Sequence, residues 1–253
     1  MPTDIHSSGS CEALHAEHHQ AFADPHWIKS HAKPPTQESQ DYPDLGLHNL
    51  VGEFYCGSGN LGKALSSKGL HVASIDFVRG CVWHDLTLKE VVDAFERSIL
   101  AGVFKHNHFG TPCNTYSTAR YPKCRSRVKP DGLPLRTLTA KERKNLRVGN
   151  KLTRATFRLI DACVRSGTAW SIENPDGSLL WWTKGWRRIQ RLYNPVEVVV
   201  DYCSYGETYR KRTKLYFWST DGTLAPTMLA KPCRCKFLGL RHTQWSGWSN
   251  SNR

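Results

Sequence analysis

Val103-Phe104-Lys105-His106-Asn107-His108 runs into Phe109-Gly110-Thr111-Pro112-Cys113-Asn114-Thr115-Tyr116-Ser117-Thr118-Ala119-Arg120, and what this stretch forms decides the architecture around it. Apolar and aromatic residues at alternating positions predict a strand, and the Gly, Thr, Pro and Asn that follow predict a loop. Proline directly before Cys113 holds the backbone away from helix, so the thiol is presented just past a strand end. In open α/β sheets that edge is where ligands bind. A cysteine there, with basic residues close behind it, is placed to be a lowered-pKa thiolate nucleophile. A small buried apolar role would suit the same residue.

Upstream, Leu47-His48-Asn49-Leu50-Val51-Gly52-Glu53-Phe54-Tyr55 predicts a strand, followed by Cys56-Gly57-Ser58-Gly59-Asn60-Leu61-Gly62. Glycines let this loop turn sharply and approach a ligand, and the helix that follows offers its N-terminus. A second strand, His71-Val72-Ala73-Ser74-Ile75, ends in Asp76. An acidic residue about 20 positions after a glycine loop is placed to hold ribose hydroxyls. The pattern indicates a nucleoside cofactor, and the G-x-G-x-x-G spacing suits dinucleotides and S-adenosylmethionine (SAM) alike. Trp83-His84-Asp85-Leu86 predicts a short strand end, and a helix is expected over about Leu88 to Leu100, with Val91, Val92, Phe95 and Ile99 on one face. Strands alternating with helices predict a parallel, doubly wound sheet.

Downstream the composition changes. From Arg120 to Arg158 there are thirteen basic residues against two acids, Asp131 and Glu142, a net of +11. Arg120, Lys123, Arg125, Arg127 and Lys129 leave directly from the cysteine loop and are candidates for phosphate contact, although a basic run can also be a solvated face. Leu152, Phe157, Leu159, Ile160, Cys163 and Val164 predict the inner face of a helix ending near Gly167. Ala169-Trp170-Ser171-Ile172 predicts a strand delivering Glu173-Asn174-Pro175 to the same edge as Cys113. Val196 to Val200 is the strongest buried-strand run. Tyr209 to Trp218 begins with arginines at alternate positions, hence on one face of a strand start.

The whole chain carries a net charge of +13, with pI near 9.4 and mean hydropathy of −0.52. That balance points to a soluble protein with a polyanionic partner, nucleic acid before membrane. No apolar run is long enough for a membrane span, and the N-terminus lacks a signal peptide's apolar stretch. Nine cysteines without export predict reduced thiols in an intracellular compartment, the nucleus if the source is eukaryotic. Residues 1–44, rich in His and Pro, are expected to be largely disordered. Cys233-x-Cys235 with Cys203 and His242 could make a zinc site, but C-x-C is not the usual knuckle spacing, so no metal is assigned.

Taken together, these residues resemble the cytosine carbon-5 methyltransferases that use SAM. Phe54-Tyr55-Cys56-Gly57-Ser58-Gly59 resembles that family's first motif and Pro112-Cys113 its catalytic proline–cysteine motif. Glu173-Asn174-Pro175 is similar to Glu-Asn-Val, and Arg210-x-Arg212 to the end of Gln-x-Arg-x-Arg. The resemblance spans about Asn49 to Trp218 and is to a divergent, compact branch met in viral or mobile-element genomes. Asn114 stands for the family's Gln, Pro175 for Val and Thr208 for Gln. Some 35 residues follow Trp218, where the family places a target-recognition domain.

The resemblance implies a Rossmann-like SAM-dependent methyltransferase fold, mostly parallel and doubly wound with an antiparallel strand near the end. It implies a catalytic domain over 45–220 and a short C-terminal segment over 221–253. It implies Cys113 as nucleophile toward carbon-6 of a flipped-out cytosine, with Glu173, Arg210 and Arg212 stabilising the activated ring. SAM would be held by Phe54, Gly57, Gly59, Asp76, Phe77, Asp85, Leu86 and Pro112, with Phe54 stacking on the adenine. DNA is the expected substrate. RNA, or an inactive SAM-binding nucleic-acid module, are the alternatives.

Overall fold

The computed structural model describes residues 50–222, 230–235 and 237–243. The expected N-terminal extension lies outside the described residues, as do 45–49 and parts of the C-terminal segment.

The core strands form where the sequence alternates or runs apolar. They are β1 (Leu50–Phe54), β2 (His71–Ile75), β3 (Phe104–Phe109), β4 (Ala169–Pro175), β5 (Val196–Asp201) and β6 (Arg212–Trp218). Their order across the sheet is β2-β1-β3-β4-β6-β5. β1 pairs in parallel with β2 and β3, and β3 with β4. β6 is antiparallel to both β4 and β5, so it alone runs against the others. This is a Rossmann-like sheet, mostly parallel with one reversed strand near the end, as expected.

Helices α1 (Asn60–Ser66), α2 (Phe77–Gly80), α3 (Lys89–Leu100), α4 (Ala140–Ser166) and α5 (Lys184–Tyr193) fill the connections. One sheet face, carrying Phe54, Phe109, Trp170, Ile172 and Tyr216, packs with α3, α4 and α5 into a continuous core. Close approach of α1 to the opposite face is permitted by Gly62, where a Cβ would sit 2.6 Å from the Glu53 carboxylate. Three residues start and stop α4: Thr139 and Glu142 form a reciprocal capping box, and Gly167 closes the other end in the left-handed conformation.

Two local expectations change. Trp83 lies not at a strand end but in a 3-10 turn, Cys81–His84. His84 there is buried, and its Nδ1 accepts from the Asp76 backbone N–H at 3.3 Å. The Val196–Val200 run is an edge strand rather than a doubly buried one: Val198 and Val200 are buried while Val196 is exposed. A valine-rich run alone does not distinguish one covered face from two.

Candidate active site

The C-terminal ends of the parallel strands bring the motifs together. The Gly110 N–H donates to the Phe54 carbonyl at 2.9 Å, so the loop carrying Cys113 leaves β3 directly against the loop leaving β1. Buried Asn174, from β4, donates through Nδ2 to the Thr111 carbonyl at 2.6 Å. The amide of Asn174 therefore holds the Pro112-Cys113 turn, while the neighbouring carboxylate of Glu173 faces the other way.

Glu173 lies on the face away from the main core, and its Oε2 accepts from the Tyr202 hydroxyl at 3.0 Å. Burial and the neighbouring Glu173 push the Tyr202 phenol up, so Tyr202 stays a donor. The Lys211 ammonium stands 4.8 Å from the centre of the Tyr202 ring. Cys113 is half-buried. Burial pushes its thiol above the ordinary cysteine range, Lys211 draws it down, and Glu173 pushes it up again. The lowered thiol expected from the flanking basic residues is thus corrected, because desolvation outweighs the pull of Lys211. His106 and His108 lie behind this group, both bonded to Ser171 Oγ, at 2.8 and 2.9 Å. Burial holds both rings neutral, His106 at about 4.

The arginines sit elsewhere. Arg210 Nε pairs with Asp201 at 2.8 Å, and Arg212 pairs with Asp176 at 2.9 Å and more loosely with Asp201. In the β4–β6 register Glu173 lies opposite Leu215, and Asn174 opposite Lys214. Because side chains alternate along a strand, Lys211 shares the Glu173 face and Arg210 and Arg212 do not. Sequence reading placed the cations one residue out of phase. Lys211 is the nearby cation that sequence reading passed over, and only the register of β6 against its neighbours fixes its phase.

On the cofactor side, Asp76 stands at the end of β2, as expected. Its Oδ2 accepts from the Gly57 N–H at 3.0 Å and its Oδ1 from the Val78 N–H at 3.1 Å. Gly57 and Gly59 have positive φ, and nothing lies within 4 Å of where a Gly57 Cβ would be. The turn is therefore open above Gly57. Phe77, beside Asp76, is 59% exposed, an apolar ring left in solvent next to a carboxylate. Arg79, which sequence reading did not single out, donates from Nε to the Gly57 carbonyl at 3.1 Å and lies against Gly59. Asp85 Oδ1 accepts from the Thr87 N–H, and Pro112 is half-buried. Leu86 is buried and forms the wall of a shallow hollow with Val92 and Arg154.

Phe54 is the correction in this set. It is fully buried, stacked on Phe109 at 5.0 Å and edge-on to Phe95 at 5.2 Å. As the last residue of β1 pointing into the core, it has no face to offer an adenine. Phe77 is the exposed aromatic at the loop.

Of the predicted phosphate contacts, Lys123, Arg127 and Lys129 are exposed and Arg120 is half-buried. Arg120, Lys123 and Arg127 line a pocket of about 250 Å³ with Ser117, Thr118 and Leu179. Trp182, 41% exposed, is flanked by Arg127 and Arg187 at 5.4 and 5.5 Å from its ring. Arg125 is a second correction. Only 1% exposed, it donates from Nε and Nη2 to Thr115 Oγ1 and from Nη1 to the Pro130 carbonyl. Its guanidinium lies 3.7 Å over the Tyr116 ring. Its donors are spent on clamping the cysteine loop, although its side chain also lines that pocket. Arg158, 40% exposed, is paired at the surface with Asp93 and Glu96 of α3.

No protein-family model and no curated protein matches the sequence. Among solved structures, the crystal structure of the S. pombe Dnmt2 methyltransferase aligns at 14% identity with a TM-score of 0.41, over 74% of this chain and 55% of that one. The chain thus spans about half the length of that protein. Among the described residues no helix is long and apolar enough to cross a membrane.

Proposed function

We propose that the chain is a SAM-dependent methyltransferase acting on carbon-5 of cytosine in DNA. The carrying observation is one sheet edge that sets Glu173 and Lys211 each within electrostatic reach of Cys113, with Tyr202 touching both, beside an open glycine loop with Asp76 at its rim. A cysteine that has to add to a ring needs a partner for the electrons it displaces. Glu173 would hold the N3 edge of the pyrimidine, with Tyr202 fixing the carboxylate. Lys211 would favour the thiolate before attack and face the carbonyl side of the ring during it, the role the resemblance gave to Arg210 and Arg212. Those two arginines instead anchor the strand start that presents Lys211.

The residues present suit SAM. Phe77 offers a face for the adenine, Asp76 a carboxylate for the ribose, and Arg79 a cation for the methionine carboxylate. Bound there, SAM supplies an electrophilic methyl group. Cys113, once deprotonated, bonds to carbon-6, and the displaced electron pair makes carbon-5 nucleophilic. After transfer a water molecule takes the carbon-5 proton, the C–H electron pair re-forms the carbon-5–carbon-6 double bond, and the C–S pair departs with Cys113 as thiolate. A base stacked in a duplex is out of reach of Cys113, so it must be turned out. The pocket of Arg120, Lys123 and Arg127 would hold the backbone while Trp182 offers a stacking face.

The deciding experiment incubates the protein with labelled SAM and with DNA or RNA, followed by nucleoside mass spectrometry. Label in 5-methylcytosine from DNA is expected; label from RNA alone would move the substrate, and label in neither would sink the activity. DNA containing 5-fluorocytosine should trap a SAM-dependent covalent complex with the wild type and none with Cys113→Ser. An adduct mapping to another thiol would refute Cys113 as nucleophile. DNA affinity should fall with salt at a log–log slope of roughly −0.9 per phosphate contact. Reversing Lys123, Arg127 and Lys129 together should flatten it, and an unchanged slope would make the run a solvated face.

A further inference from the structure

Four ligand-bearing side chains that serve no part of the proposed reaction converge at the edge of the sheet. Cys203 comes from the 3-10 turn after β5, Tyr202–Tyr205. Cys233, Cys235 and His242 come from the C-terminal segment. One donor atom from each lies within 4.8 Å of the others, and Cys233 Sγ is 3.4 Å from His242 Nε2. We propose that these residues form a structural zinc site of three thiolates and one imidazole, which fastens the C-terminal segment to the catalytic sheet.

The geometry is that of a tetrahedral shell before the last contraction. Zinc–sulfur bonds of about 2.3 Å and zinc–nitrogen bonds of about 2.0–2.1 Å put tetrahedral sulfurs about 3.8 Å apart and a sulfur–nitrogen pair about 3.5 Å apart. The 3.4 Å Cys233–His242 separation already meets the second figure. C-x-C spacing looked wrong because two residues so close supply only half a site. The other ligands come from 30 residues upstream and from a turn downstream, which spacing cannot show. Three thiolates and a neutral imidazole select zinc over calcium or magnesium, which take oxygen ligands.

An independent observation is how little else fastens the described residues of the segment. Phe237, Leu238 and Leu240 are 89%, 68% and 59% exposed, so these apolar side chains form no core among the described residues. Its backbone is tied to the body by a few hydrogen bonds, among them Ser204 Oγ–H to the Pro232 carbonyl at 2.9 Å and the Thr243 N–H to the Thr208 carbonyl at 2.9 Å. Short stretches without a core are held by metals or disulfides. The outer sphere is also built. Buried Asp201 accepts from the Cys233 N–H at 2.9 Å through one oxygen and from Arg210 through the other. A zinc with three thiolates carries one net negative charge, and Arg210 is the cation beside it. Arg210, which the resemblance assigned to the ring, thus supports the metal site.

Protein purified without chelator should contain one zinc per chain by elemental analysis. Replacement with cobalt should give the intense visible bands of tetrahedral coordination and a thiolate-to-metal charge-transfer band. Exposed His242 tests ligation with little risk to folding. His242→Ala should weaken zinc retention against a competing chelator at least tenfold, and His242→Cys should restore it. Cys233→Ser should reduce the cobalt charge-transfer intensity. Zinc well below one per chain, retention equal in His242→Ala and wild type, or a mass showing a Cys203–Cys233 disulfide in freshly purified protein would overturn the proposal. Stoichiometric iron in place of zinc would overturn it too. None of these readouts depends on methyl transfer, so loss of the catalytic reading would leave the metal site standing.

Discussion

Cys113 and the Cys203–Cys233–Cys235–His242 cluster are two uses of cysteine in one chain, held by opposite means. Cys113 is carried on a loop between rigid strands, braced by Asn174 below and by Arg125 from behind. Packing fixes it, and burial leaves its thiol protonated until something draws the proton off. The cluster has almost no packing behind it, and its ligands are fixed by each other. A reacting cysteine needs a scaffold independent of its own chemistry, because its bonds form and break. A structural cysteine can be the scaffold.

The contrast breaks most visibly on metal removal. Structural zinc contributes on the order of 10 kcal/mol or more to the folding of small peptides that bind it, far beyond what the few hydrogen bonds of residues 230–243 could replace. Stripping zinc should therefore expose Lys231, Arg234 and Arg241 to trypsin while the sheet from β1 to β6 stays protected. If the whole chain becomes susceptible at once, the cluster is part of the main core and the contrast is false.

The Cys113 side breaks through its clamp. Arg125→Met leaves Thr115 Oγ1 and the Pro130 carbonyl without their donors and removes the cation from the Tyr116 ring. With about 1–3 kcal/mol for each buried group left unsatisfied, the loss should be about 2–4 kcal/mol and Tm should fall on the order of 10 °C. Denaturation of the metal-loaded protein checks it, and a change under about 0.5 kcal/mol, as at a free surface position, would return Arg125 to the phosphate-binding set. Gly149→Ala tests the same clamp more gently. In an exposed helix interior that change is worth about 1 kcal/mol of stability. Here the new methyl would lie 2.6 Å from Thr115 Oγ1 and 3.1 Å from Arg125 Nη2, so the sign should reverse to a net loss of about 1 kcal/mol.

How much of this was legible in the sequence follows the same division. The strand ends with Gly57, Asp76, Cys113 and Glu173 could be read, because strand, turn and helix signals are local and the parallel topology brings their ends together. Phe54 and Arg125 were misread for one reason: an aromatic and a cation look alike in sequence whether they face a ligand or a core. Arg125 goes inward because α4 has a glycine where the guanidinium needs room, a fact about residue 149. The phase of Arg210-Lys211-Arg212 was fixed only by the register of β6 against β4 and β5. The metal ligands were visible as residue types but not as a site, since Cys203 joins them only once β5 lies at the sheet edge.

The smallest expected effect is the sharpest test of what Cys113 senses. Burial raises its thiol, Lys211 lowers it and Glu173 raises it. Removing the cation should move the thiol further up, and removing the carboxylate's charge should move it down. The thiolate is the species that alkylates, so the rate of iodoacetamide labelling at Cys113, resolved by peptide mass spectrometry, should climb with pH and level off above the ordinary thiol range. In Lys211→Met the midpoint should shift to higher pH, and in Glu173→Gln to lower pH. Arg212→Met should leave it in place, because Arg212 pairs with Asp176 on the other face of the sheet. The metal-bound thiolates should label slowly throughout until zinc is removed. A midpoint that follows Arg212 and ignores Lys211 would put the arginine back at the nucleophile and the lysine out of the site.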